Sequence, residues 1–120
     1  MNWEPNCTIY RIVCFRTGEI YIGQTGAYRR RVWEHLDMLK HGHHANHKLQ
    51  TAYNEYGRDA FYFEPIEEVP RSKGNEREVY WVEYYDSFFN GFNLTLGGNV
   101  RYGIPYIADQ IRLQKAKDAA

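Results

Sequence analysis

The sequence predicts a small α/β domain, with a short sheet and flanking helices, on three observations. Two stretches rich in β-branched and aromatic residues, joined by a turn signal, lie near the N-terminus. Segments with helical spacing of apolar residues follow, interrupted by a further strand-like run. The chain has 120 residues, 43% of them hydrophobic and 17% aromatic, enough to bury one core and too few for a second.

The hairpin comes first. "CTIYRIVCF" (residues 7–15) and "IYIG" (20–23) flank the turn "RTGE". A two-residue turn at Thr17 and Gly18 would put Tyr10 and Tyr21 on one sheet face, whereas a slip of one residue would separate them. Cys7 and Cys14 are seven apart in one strand, so they fall on opposite faces, which argues against a disulfide or a shared metal. From Tyr28, apolar residues recur at Val32, Leu36 and Leu39 with Gly42 as a stop, which predicts the first helix. Leu49, Ala52, Tyr53 and Tyr56 predict a second, with Asn46 as its cap and Gly57 behind it. "AFYFEPIEEV" (60–69) reads as a third strand, whose Pro65 marks an edge or a bulge. "NEREVYWVEYYDSF" (75–88) is a third helix, and "NGFNLTLGG" (90–98) a turn, a short extended piece and a glycine break. A last helix, opened by Pro105 and carrying only Ile107 and Ile111 as a partial stripe, makes residues 99–120 an appendage or linker to a domain at 1–98.

Lysine plus arginine equals aspartate plus glutamate at 15 each, so the whole chain offers no net field to draw in nucleic acid, membrane or an acidic substrate. Charge is instead local: "RRR" at Arg29 to Arg31, and carboxylates from Glu64 onwards. No apolar run approaches the ~18 residues of a membrane span. The N-terminus "MNWEPN" lacks the charged-then-apolar plan of a secretion signal, and an intracellular protein is expected.

Four sets of residues stand out. Arg31 and His35 are one helical turn apart beside the apolar stripe. A guanidinium that forks onto phosphate oxygens and an imidazole able to exchange a proton near neutral pH suit a phosphate ester, although on spacing alone a solvated polar face is the simpler reading. Glu78 shares the stripe of Trp81, Val82 and Tyr85, where a carboxylate needs a cation or a proton. Alternatively, with Asn75 as N-cap, Glu78 could reach back to the cap's amide. Tyr10 and Tyr21 are, on pattern alone, packing residues of the hairpin. Finally, "HGHHANHKLQ" (41–50) holds four of the five histidines. No cysteine lies near, and the spacing is not that of two separated ligand pairs, so a structural zinc site is not expected.

Taken in order, "TIY" (8–10), "YIGQT" (21–25), Arg31 with His35, "HxNxxLQ" from His44 to Gln50, "YG" at Tyr56 and Gly57, "ExxW" from Glu78 to Trp81 and "NGFNLTLGG" resemble the GIY-YIG nuclease family. The resemblance covers residues 7–98. It implies a three-stranded antiparallel sheet flanked by three helices, and a phosphodiesterase that cuts DNA with one divalent cation, Mg²⁺ or Mn²⁺. By the family pattern Glu78 would hold the metal, Arg31 would grip the scissile phosphate, and Tyr10 or Tyr21 would take part in activating water. His35 matches a catalytic or phosphate-binding histidine, and Asn93 a polar site residue. His44 and Asn46 would be loop and cap residues at the margin of the site or on the DNA, and Gly23 would allow close approach of the backbone. His41, His43 and His47 are then exposed residues. Thr8 stands where the family's first motif has glycine, a mild change in a strand.

The resemblance implies DNA as partner, together with a separate DNA-binding region or partner protein, since a charge-neutral nuclease core would bind DNA weakly. It requires neither a nucleotide cofactor nor a membrane. A homing or phage-type endonuclease is the first expectation. A repair or recombination nuclease of the same family and a non-catalytic module that retains the fold are the alternatives.

Overall fold

The structure is a computed structural model describing residues 4–96 and 104–119, except the side chains of 104–110. The expected glycine break at Gly97 and Gly98, and the domain boundary placed there, lie outside the described residues. Strands β1 (Asn6–Cys14), β2 (Ile20–Thr25) and β3 (Phe61–Pro70) form one antiparallel sheet in the order β2-β1-β3. Helices α1 (Tyr28–Lys40) and α2 (His47–Tyr56) precede β3, and α3 (Gly74–Tyr85) and α4 (Ile104–Asp118) follow it.

The hairpin turn is longer than its sequence suggests. Val13 pairs with Ile20 and the amide of Cys14 donates to the carbonyl of Glu19, which leaves Phe15 to Gly18 in the loop. Gly18 takes a positive φ of 78°, which its lack of a Cβ permits. The register therefore differs by two residues from that of a Thr17–Gly18 turn: Ile12 opposes Tyr21, and Gly23 opposes Tyr10. A two-residue shift preserves the face, so Tyr10 and Tyr21 stay on the same side. In β3, Ile9 opposes Glu67 while Tyr10 opposes Pro65, so Ile66 is the extra residue of a bulge. Pro65 has no amide to give, and sits at this bulge in an edge strand.

The two sheet faces are covered by different helices. Tyr10, Ile12 and Cys14 pack with Leu39 of α1, with Leu49 and Ala52 of α2, and with Phe61 and Phe92. Ile9 and Ile22 point the other way and pack with Val82 of α3. Cys14 belongs to the first layer, whereas Cys7 lies beside the start of α3; both are buried and free.

Asn46 caps α2 by accepting from the amide of Leu49, and Gly57 closes the helix at φ 84°. Helix α3 begins differently from expectation. Lys73 holds the N-cap position with no side-chain cap, and Asn75 lies inside the first turn. An ion pair between Arg77 and Glu67 at 2.5 Å, with Trp81 Nε1 donating to the same carboxylate at 3.0 Å, braces α3 against β3. Helix α4 rests on α3 through Ile111 against Val79 and Tyr80, and Tyr84 Oη donates to Asp118 Oδ2 at 2.8 Å. Among the described residues, no helix is long and apolar enough to cross a membrane.

Candidate active site

The site is built around Tyr10, which is 1% exposed although it carries a hydroxyl. Its Oη lies 2.7 Å from Nε2 of His35, which α1 presents to the sheet, and Nδ1 of His35 lies 2.7 Å from Nε2 of His44. The amide of Asn46 donates to Nδ1 of His44 at 3.0 Å. That last bond sets the direction of the others, because a backbone amide can only donate. His44 Nδ1 accepts, so neutral His44 carries its proton on Nε2 and gives it to His35 Nδ1; His35 Nε2–H then points at the Tyr10 oxygen. Both imidazoles are neutral at physiological pH. Burial, with Arg31 and His44 adding to it, holds His35 at about 3, and burial and Arg31 lower His44.

Tyr21 faces the same space, its ring 6.3 Å from that of Tyr10. Burial raises both phenols above their ordinary acidity range, and the Glu78 carboxylate raises them further. Arg31 works in the opposite direction on both, through its charge and through hydrogen bonding. A hydrogen bond with Tyr10 also favours the Tyr21 anion. One guanidinium and one carboxylate from distant parts of the chain thus act on the same two hydroxyls. Glu78 arrives from α3, on the other layer, where Gln24 Nε2 donates to its Oε2 at 2.9 Å. One buried and one half-buried phenol beside a guanidinium and a half-buried carboxylate are equipped to neutralise an anionic ester and to move a proton beside it.

The comparisons with known proteins agree. A family model described as the GIY-YIG catalytic domain matches residues 6–93, most of the chain. The chain belongs to the GIY-YIG family. It is 32% identical over 88 residues to intron-associated endonuclease 1 of Enterobacteria phage T4, a match covering 72% of this chain and 36% of that protein. The chain therefore spans about a third of that relative's length. Two solved structures share the fold at a TM-score of 0.70 and 28% identity: the catalytic domain of homing endonuclease I-TevI, and a glutamate-to-alanine mutant of the I-TevI catalytic domain. The first covers 74% of this chain and 98% of its own, the second 75% and 94%. The three-stranded antiparallel sheet with flanking helices expected from the sequence is the GIY-YIG architecture.

Within this GIY-YIG domain the residues expected to meet substrate divide into two groups. Arg31, Tyr10 and Tyr21 converge, and Glu78 acts on the same two phenols. His35 is fully buried and neutral, a hydrogen-bond donor to Tyr10; an imidazole exchanging protons near neutral pH is not what the structure places there. His44 lies in the loop before α2, as expected, and stacks on His35 with ring centroids 5.0 Å apart. Gly23 admits the ring of Tyr10: an added Cβ would lie 2.5 Å from its Cζ and Oη. Asn46 spends its side chain on capping α2 and on the carbonyl of Phe92, at 2.8 Å. Asn93 is buried and staples the strand, accepting from the amide of Ile22 at 2.8 Å and donating to its carbonyl at 2.9 Å. Its polar atoms serve the outer edge of β2.

His41, His43 and His47 are exposed, and His41 pairs with Asp37. Among the described residues, no three of histidine, cysteine, aspartate and glutamate are grouped so as to hold a metal ion. Glu78 suits a hard cation that is content with one protein carboxylate and takes its other ligands from water and phosphate oxygens, as Mg²⁺ does. The capping role considered for Glu78 loses its premise, because Asn75 is not the N-cap and its Oδ1 accepts from Gln24 at 2.7 Å. Gly74 is a site residue that the sequence did not single out, and Gln24 entered only as part of "YIGQT"; it shares a strand face with Ile22, below α3.

Proposed function

We propose that this chain is a divalent-cation-dependent endonuclease that hydrolyses phosphodiester bonds of DNA, of the homing or phage type. The observation that carries the proposal is the pairing of Tyr10 and Tyr21, with ring centroids 6.3 Å apart, under the opposed charges of Arg31 and Glu78. Membership of the family and the names of the relatives support the reaction class.

Arg31 binds the scissile phosphate and offsets charge that grows as the transition state forms. The Tyr10–Tyr21 pair, after releasing one proton to solvent, takes the proton of the water that attacks phosphorus, and the leaving oxygen, as its bond to phosphorus breaks, takes up a proton from solvent. His35 keeps its Nε2–H on Tyr10, which stabilises negative charge on that oxygen, and His44 with the Asn46 amide holds His35 in the tautomer that does so. A Mg²⁺ or Mn²⁺ ion held by Glu78 would supply Lewis-acid stabilisation of the phosphate oxygens and a field that makes the phenols more acidic. Affinity and site choice come from a separate DNA-binding region or a partner protein, a reading supported by the zero net charge. The setting is the interior of a bacterial host.

Nicking of supercoiled plasmid in Mg²⁺ tests the proposal. Glu78→Ala and Arg31→Ala each lose at least ~100-fold in rate with the fold intact by circular dichroism. Wild-type nicking by either variant would refute it.

A further inference from the structure

We infer that Gln24 is a positioning residue that aims the Glu78 carboxylate at its cation, a role it performs because its own amide is fixed at both ends. The inference rests on the metal-dependent function proposed above. On the nitrogen side, Gln24 Nε2 donates to Glu78 Oε2 at 2.9 Å and to Asn75 Oδ1 at 2.7 Å, both on α3. On the oxygen side, Gln24 Oε1 accepts from the thiol of Cys7 on β1, at 3.9 Å. These partners determine which way the amide points. Reversed, it would set a carbonyl oxygen against a carboxylate and against a second carbonyl oxygen.

The surroundings are shaped around this arrangement. A Cβ on Gly74 would lie 2.3 Å from Gln24 Oε1 and 2.8 Å from Cys7 Sγ, so only glycine lets α3 begin where it does. Four residues on, Glu78 sits one helical turn further along α3, and Val82 a turn beyond that packs on Ile22. Ile22 and Gln24 are two apart on β2 and share its face. The helix thus lays two successive turns on two successive positions of that face, an apolar contact and then a polar one.

A glutamate side chain has several rotatable bonds, and a cation that binds it must order them. A tether that orders them beforehand raises affinity without adding a ligand. Because the donor is a neutral amide, the carboxylate keeps the full negative charge that attracts the ion. Partners of this kind typically change metal affinity by about 10–100-fold.

Calorimetric titration of the whole chain with Mn²⁺ tests this, with Gln24→Met, Asn75→Ala and Glu78→Ala beside the wild type. Gln24→Met keeps the length of the side chain and removes the donor; it is expected to weaken Mn²⁺ binding about 10-fold. Its nicking rate should climb back towards wild type as Mn²⁺ is raised, with the KM for DNA unchanged, a pattern that a merely packing residue does not produce. Asn75→Ala loosens the same amide from the helix surface and is expected to shift affinity the same way by less. If Gln24→Met did not fold, Asn75→Ala would decide alone. Wild-type Mn²⁺ affinity in the folded variants, with Glu78→Ala abolishing binding, would overturn the inference and leave the Glu78 site standing. Unchanged affinity in Glu78→Ala would overturn the metal site itself, and the inference with it.

Discussion

Gly23 shows how much one missing atom does in this chain. The Tyr10 ring crosses β2 where a Cβ would stand, and it cannot step aside because Tyr21, Tyr28 and His35 surround it with ring centroids 5.7–6.3 Å away. Gly23→Ala is therefore expected to cost about 1–3 kcal/mol in stability through overpacking, and to lose most nicking activity because the displaced phenol leaves His35. Thermal unfolding and plasmid nicking of the variant measure both. His35 makes a separate prediction about acid. Its pKa in the folded protein is about 3 against an ordinary 6.5, so between those values the unfolded chain binds the additional proton. Its contribution to stability is complete above pH 6.5 and is lost as pH falls towards 3, with a slope of up to about 1.4 kcal/mol per pH unit. Urea unfolding at a series of pH values should show this slope in the wild type and a flatter one in His35→Gln.

Among the elements, β2 depends on a segment far along the chain. Asn93 satisfies both the amide and the carbonyl of Ile22 at the outer edge of the sheet, beside Tyr21 and Gly23. Asn93→Ala is expected to destabilise the fold by about 2 kcal/mol, because two buried backbone groups lose their partners. Denaturant unfolding measures the loss; a change below ~0.5 kcal/mol would contradict the staple. How legible each element was in the sequence follows the range of the contacts that end it. Helix α2 was readable to the residue, since its cap and its glycine stop are local chemistry. The start of α3 was not, because Gly74 packs on Gln24, fifty positions earlier, and nothing in "KGNERE" announces it. The hairpin loop of Phe15 to Gly18 shifts the register two residues from that of a Thr17–Gly18 turn, a difference that alternation along a strand hides.

At the scale of the molecule, the sheet acts as a partition. One layer contributes Tyr10, Tyr21, Arg31, His35 and His44, and the other, α3, contributes Glu78. Motif order identified these residues because each lies in a short recognisable string. Which of them touch one another was not legible, since the relay from Asn46 to Tyr10 joins β1, α1 and the loop before α2. The same distance effect hid the two bonds from Asn93 to Ile22, 71 positions earlier in the chain. With 15 positive and 15 negative side chains, the chain has no net field to hold DNA, which supports the proposed reliance on a separate DNA-binding region or partner protein. The proposed function requires a cation on Glu78, beside the two phenols and Arg31, and the position of Mn²⁺ in an anomalous difference map of soaked crystals tests it. One ion bonded to the Glu78 carboxylate is the expected result. An ion held instead by His41, His43 or His47, with Glu78 bare, would contradict it.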